Sequence, residues 1–291
     1  MKKPSWRKII VGVCVVVAVV ATLFFERAPI NKILNLVENY SSNHSAVLEE
    51  FKQEIFSAPL RGSFSGSGAA LSPSNIITLT NQERAKAGSA SLKENASLDK
   101  SAMLKVQDIF NRQYFDHISP DGNGPGYLAD TAGYSYVVIG ENLALGNFKD
   151  DAALIKAWMD SPGHRENILN VRYQDIGVAV GQGIFDGDRV YVAVQEFGKP
   201  TSACPSATSA ERSSIDSARA NVDSLNSEIT DDKNTLDKMP RTTAEEDSAY
   251  NAKVTEYNNT VSEYNAAVSD LRAMIDAYNQ HVRDFNACAT Q

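Results

Sequence analysis

The chain has 291 residues, 43% hydrophobic and 22% charged, with a net charge of −8 at neutral pH. That length suits one well-buried core with accessory elements. The acidic balance argues against nucleic acid as a partner.

Basic residues gather at the N-terminus, where Lys2, Lys3, Arg7 and Lys8 precede the uncharged, nearly all apolar stretch 9–25. A helix crosses a bilayer with about 20 apolar residues, and this run lies at the short end of the range. The following LFFERAP offers bulky and charged residues where a signal peptidase needs small ones. Cys14 also lacks the small preceding residue of a lipoprotein site. Residues 9–25 are therefore expected to be a transmembrane signal-anchor. Residues 1–8 then form a cytoplasmic tail, and the bulk of the chain lies outside a cell membrane crossed once. In that oxidising setting Cys204 and Cys288, the cysteines outside the anchor, are the natural pair for one disulfide.

Ile30, Ile33, Val37, Tyr40, His44, Val47 and Phe51 recur at alternating spacings of three and four. That is a coiled-coil seam and predicts a juxtamembrane helix over 30–56. The Gly, Ser and Pro punctuation of RGSFSGSGAALSPSN predicts a linker over 61–75.

Residues 76–199 have mixed character. IITLTNQERAKAG predicts a helix ended by Gly88, and ASLDKSAMLKVQDIFNRQYF a second, amphipathic one. YSYVVIGENLA reads as a strand running into a polar turn. DDAALIKAWMDS reads as a helix with an acidic first turn, stopped by Pro162. DIGVAVGQG and RVYVAVQEFG, separated by IFDGD, read as a β-hairpin. Helices packed around a small antiparallel sheet would bury these faces.

Glycine then vanishes. Ile215, Ala218, Val222, Leu225, Ile229 and Leu236 line one helical face before DKMPRTTA. After it, Tyr250, Val254, Tyr257, Val261, Tyr264, Val268, Leu271, Ile275, Tyr278, Val282 and Phe285 keep the four-three spacing. Capping boxes at Thr208/Glu211 and Thr243/Glu246 and the break at Pro240 predict an antiparallel coiled-coil hairpin over 205–291. Its arms would be unequal, so the second could also pack on the 30–56 helix in a three-helix stalk. Cys204 and Cys288 bracket the hairpin and could close it.

Four histidines exist. His44 and His281 lie in or beside heptad seams and read as structural. His117, in FDHISPDG, and His164, in AWMDSPGHRENIL, sit at element ends beside Pro and Gly. Glu141 and Asn142 lie in IGENLA. Together, and preceded by LTNQERAKAG, these motifs resemble the CAP superfamily of cysteine-rich secretory proteins, antigen 5 and pathogenesis-related proteins. The similarity covers residues 76–199 and is greatest to the family's bacterial, extracytoplasmic branch. It implies an α+β fold, an α-β-α sandwich of the CAP type. It also implies a groove whose two histidines are His117 and His164 and whose acid is Glu141. Many family members place a second acid three residues after the tryptophan; that position here is Ser161, with Asp160 one residue short of it.

Two imidazoles and a carboxylate could hold Zn²⁺ with an open fourth position, or hold a water by hydrogen bonds, or form a buried polar cluster. Trp158 reads as core. Asn142 and Asn167 read as turn caps, and Gly122, Gly140 and Gly163 as tight-turn residues. Residues 76–199 contain no cysteine nucleophile and no nucleophile elbow. The expectation is an extracytoplasmic binding domain for a small ligand, lipid, metal or protein. A metal-assisted hydrolase and a structural or self-associating envelope protein are the alternatives.

Overall fold

The computed structural model describes residues 52–65 and 68–290. The expected cytoplasmic tail, signal-anchor and residues 30–51 of the expected juxtamembrane helix lie outside the described residues. Among those described, no helix is long and apolar enough to cross a membrane. The chain divides into two compact units, one containing residues 48–206 and 282–291 and the other 207–281.

The first unit is built on a six-stranded mixed sheet. Its strands are β1 (Gln53–Phe56), β2 (Leu60–Arg61), β3 (Lys93–Glu94), β4 (Tyr136–Gly146), β5 (Asp175–Phe185) and β6 (Asp188–Pro200). The order is β1-β4-β6-β5-β3, with β2 also paired to β4. The long strands β4, β6 and β5 are antiparallel, whereas β1, β2 and β3 run parallel to their partners. Asp186 and Gly187, both at positive φ, make the two-residue turn of the β5–β6 hairpin. That is the turn chemistry whose twist matches an antiparallel pair.

Helices cover both faces. On one, α1 (Pro73–Lys86), α4 (Asp151–Asp160) and α5 (Pro162–Leu169) bring Ile76, Leu154, Trp158 and Ile168 onto Val138, Ala144, Ile176 and Ala193. On the other, α2 (Ala96–Arg112) packs Ala102, Val106 and Ile109 against Leu143, Leu145, Val192 and Val194. α3 (Pro125–Ala132) adds Ala129 to a cluster with Leu98, Tyr134 and Tyr136. Successive strand residues point to opposite faces. With both faces covered, β4 is buried along its whole length. Each large apolar side chain so buried stabilises the fold by about 1.5–3 kcal/mol.

Several expectations change here. Residues 53–56 form β1 and not the end of a helix, because QEIF lies in register along Val138–Glu141 and takes up the hydrogen-bonding edge of β4. The expected linker 61–75 contains Arg61 of β2 and the first turn of α1, which Ser72 caps by accepting from the Asn75 N–H. Glu141 and Asn142 lie inside β4, not in a turn. Gly140 is a strand residue too; a Cβ there would lie 2.1 Å from the Tyr173 hydroxyl.

In the second unit α6 (Ser209–Leu236) and the residues of α7 (Ala244–Thr290) up to 281 run antiparallel. Lys253 Nζ stands 2.5 Å from Asp232, and His281 Nδ1 2.8 Å from Glu211, near opposite ends of the pair. Thr208 and Glu211 make a complete capping box, and Thr243 accepts from the Glu246 N–H. Ile215, Val222, Ile229, Tyr257, Leu271 and Ile275 are buried. In the first unit, Cys204 and Cys288 form a disulfide beside Val137, Phe285 and Ala289.

Candidate functional site

His117 is set by the loop after α2. Gly122, at φ 84°, donates to the Ser119 carbonyl, and Arg112 grips Asp121 at 2.6 and 2.9 Å. Lys105, on the sheet-facing side of α2, is fully buried and donates to the His117 carbonyl at 2.6 Å and the Tyr114 hydroxyl at 3.2 Å. The loop is thereby tied to α2 directly below the histidine.

β4 carries Glu141 to the same point. Its Oε1 stands 2.6 Å from His117 Nδ1. His117 Nε2 meets the Ser57 carbonyl, and its ring stacks on Phe56 with centroids 4.7 Å apart. With an oxygen opposite each ring nitrogen, the ring fills both bonds when both nitrogens carry hydrogen.

His164 occupies the first turn of α5, and its Nδ1 lies 2.8 Å from the hydroxyl of Ser161, the residue before that helix. Its Nε2 is buried with no hydrogen-bond partner, as is Glu141 Oε2. Burial first, and the neighbouring His117 second, push His164 down to about 4. The motif asparagines are cross-braces and not turn caps. Asn142 donates to the His164 carbonyl and to Gln195, and Asn167 donates to the Glu141 carbonyl and to Asn142 Oδ1. They fix α5 against β4.

His117, Glu141 and His164 are 2%, 0% and 1% exposed, with His117 and Glu141 in direct contact. Asp160 takes no part. Its carboxylate points to solvent, 65% exposed, and pairs with Lys156, because Trp158 two positions earlier turns into the core. Among the described residues no three His, Cys, Asp or Glu side chains are placed to hold a metal ion. Both nitrogens of His117 are already engaged, so the Zn²⁺ alternative does not fit this arrangement.

Sequence reasoning passed over Glu196, which β6 places directly opposite Glu141. It is fully buried, accepts from the Ser101 hydroxyl at 2.9 Å, and leaves Oε2 unpartnered. Burial, reinforced by the Glu141 charge, holds its carboxyl well above the usual carboxylate range. Two-residue periodicity carries the signal: Glu196 shares a face with Val192 and Val194, which belong to the core.

The depressed His164 predicts a pH response. The unfolded chain protonates this histidine near 6.5 and the folded chain only near 4. Between those values the unfolded state binds more protons, so stability rises with pH across that window, by up to about 3 kcal/mol. Glu196 acts in the opposite sense, because a raised carboxyl loses stability as pH climbs past its unfolded value. Urea unfolding of the native chain and of His164→Asn at pH 4 and pH 6.5 separates the two. The rise specific to His164 is expected to vanish in the variant.

Known proteins resemble this part of the chain. The model of the Cysteine-rich secretory protein family (CAP) matches residues 77–197. The uncharacterized protein YkwD of Bacillus subtilis is 45% identical over 103 residues, which are 35% of this chain and 40% of that protein. The uncharacterized membrane protein YlbC of the same organism is 31% identical over 109 residues, 38% of this chain and 31% of that protein. The chain thus spans less than half the length of either relative. Among solved structures, an extracellular protein containing a SCP domain from Bacillus anthracis is 28% identical. It aligns over 44% of this chain and 40% of its own, with a TM-score of 0.38.

Proposed function

We propose that this chain, which belongs to the cysteine-rich secretory protein (CAP) family through residues 77–197, uses the His117–Glu141–His164 cluster for recognition and not for turnover. One observation carries the reading: His117, backed by Glu141, presents its outer nitrogen to a main-chain carbonyl, while Glu141 Oε2 is buried and unspent. Buried polar atoms are normally paired, and an unpaired carboxylate oxygen here marks a place for a partner. The nearest thing to a nucleophile–base pair is Ser161 with His164. No acid stands behind that ring, and a histidine held near 4 is a weak base. One relative is described as a membrane protein and one structural neighbour as extracellular, which supports display outside a cell membrane on the 9–25 anchor. A small molecule, a lipid or a protein segment would be the ligand.

Native mass spectrometry of the full chain recovered from membranes tests this. A bound mass is expected on the native chain or on a Phe56→Asp chain, and is expected to be lost with Glu141→Gln. Bare protein in both, or hydrolysis of ester or peptide substrates abolished by Glu141→Gln, would overturn the recognition reading.

A further inference from the structure

We propose that the cluster is a receptor for an extended polypeptide strand, and that residues 53–61 are its built-in occupant, displaceable by a peptide of the same chemistry. The inference rests on the recognition reading and names its ligand class.

The segment binds as an added edge strand. Gln53 to Phe56 run parallel to Val138 to Glu141, and the pairing resumes with Leu60 and Arg61 opposite Ala144 and Leu145. In between, Ser57, Ala58 and Pro59 stand opposite only Asn142 and Leu143, so the segment carries one residue more than β4. Pro59 has no N–H to give a ladder. At this break the Ser57 carbonyl leaves the sheet and accepts from His117. The ladder therefore opens just where the motif histidine and glutamate lie.

Two further features are shaped to the segment. Phe56 is 43% exposed yet stacks on the His117 ring. Gly163, from the SPGH motif, lets the chain pass: a Cβ there would lie 2.5 Å from Ser57 Cβ. This is main-chain recognition with an aromatic anchor and a slot for a small residue, as in other strand-addition sites.

The occupant also fits incompletely. Ser57 Oγ, Glu141 Oε2 and His164 Nε2 all remain buried without partners around it. Its side-chain anchors lie toward its ends and on the core side: Arg172 donates to Gln53 at 2.5 Å, Arg61 lies over the Phe115 and Phe185 rings, and Ile55 and Leu60 pack on the core. A segment that lies over unpaired polar atoms can be exchanged for one that satisfies them. The partner chemistry is an extended peptide with an aromatic residue followed by a small residue and, two places on, proline.

The test uses the full chain and a fluorescein-labelled peptide of residues 52–62, followed by anisotropy. Phe56→Asp in the chain removes the stacked anchor and sets a carboxylate beside Glu141. Saturable binding is expected on this variant and at least tenfold weaker binding on the native chain. A peptide bearing the same Phe56→Asp change is expected to bind the variant at least tenfold more weakly than the unaltered peptide. Native chain cut at a protease site inserted after Ser65 is expected to take up the peptide as the variant does, which covers any folding defect of Phe56→Asp. Failure of the peptide on both opened chains, or equal binding of the Asp-bearing peptide, would overturn the proposal. A non-peptide ligand found by native mass spectrometry alongside that failure would leave the recognition reading standing and remove only the peptide assignment.

Discussion

Replacing Gly177 with alanine is expected to destabilise the chain by about 3 kcal/mol or more, at the upper end of what overpacking does to a core. Gly177 lies in β5 beneath the start of α2. A Cβ there would lie 2.2 Å from the Leu98 carbonyl carbon and 2.4 Å from the Asp99 nitrogen. Both are backbone atoms, so no rotamer change relieves the overlap; the helix itself must lift. It is tied down on either side of the contact, by Asn95 N–H to the Ile176 carbonyl at 2.9 Å and by Val178 N–H to Asp99 at 2.9 Å. Lifting α2 therefore breaks those bonds and also moves Ser101 and Lys105, which hold Glu196 and the His117 carbonyl. Gly181→Ala is the control. Its Cβ would meet a side-chain atom, Val106 Cγ1, at 2.5 Å, and no backbone atom of α2. Urea unfolding is expected to show a clearly smaller loss for Gly181→Ala. Equal losses would mean that the closeness of α2 to β5 is not what Gly177 secures.

Local signals in the chain were read well and non-local ones poorly. The Asp186-Gly187 turn, the Gly88 helix stop and the two hairpin capping boxes depend on neighbours in sequence, and each was legible. Ordered motifs also pointed to His117 and Glu141, although only the fold brings the two within 2.6 Å. Asp160 was misplaced because spacing from Trp158 says nothing about which way the last turn of a helix faces. The strand at 53–56 was hidden behind a heptad pattern running up to it, and its partner lies more than 80 residues away in β4. Buried charges were hardest. Arg84 looks like part of a solvated helical face, yet it is fully buried and donates to the carbonyls of Ala90, Ile168 and Asn170. A charge in an amphipathic pattern is normally exposed, and only tertiary partners reverse that.

Lys105 makes the same point with a larger consequence. Lys105→Met is expected to destabilise the chain by about 3–5 kcal/mol, the usual result of removing one side of a buried ionic group. The side chain is wholly buried, and burial pushes its pKa down, while Glu141, Asp108, Asp116 and Glu196 pull it back up. Methionine keeps much of the volume but leaves the His117 carbonyl without its 2.6 Å donor and the two facing glutamates without their shared cation. The sign of the pH effect follows. Without the cation the Glu196 carboxyl, already raised by burial, rises further above its unfolded value, so stability is lost as pH climbs through that range. The penalty is expected to be larger at pH 8 than at pH 5. Glu196→Gln removes one of the two negative groups and keeps an acceptor for Ser101. The double variant is therefore expected to recover part of the loss, a coupling of about 1–2 kcal/mol for residues sharing one network. Simple additivity across the cycle, with a pH-independent penalty, would show that Lys105 acts only through its hydrogen bonds to the His117 carbonyl and the Tyr114 hydroxyl. Coupling would show that the cation under β4 and β6 is what allows two facing glutamates to lie beside His117.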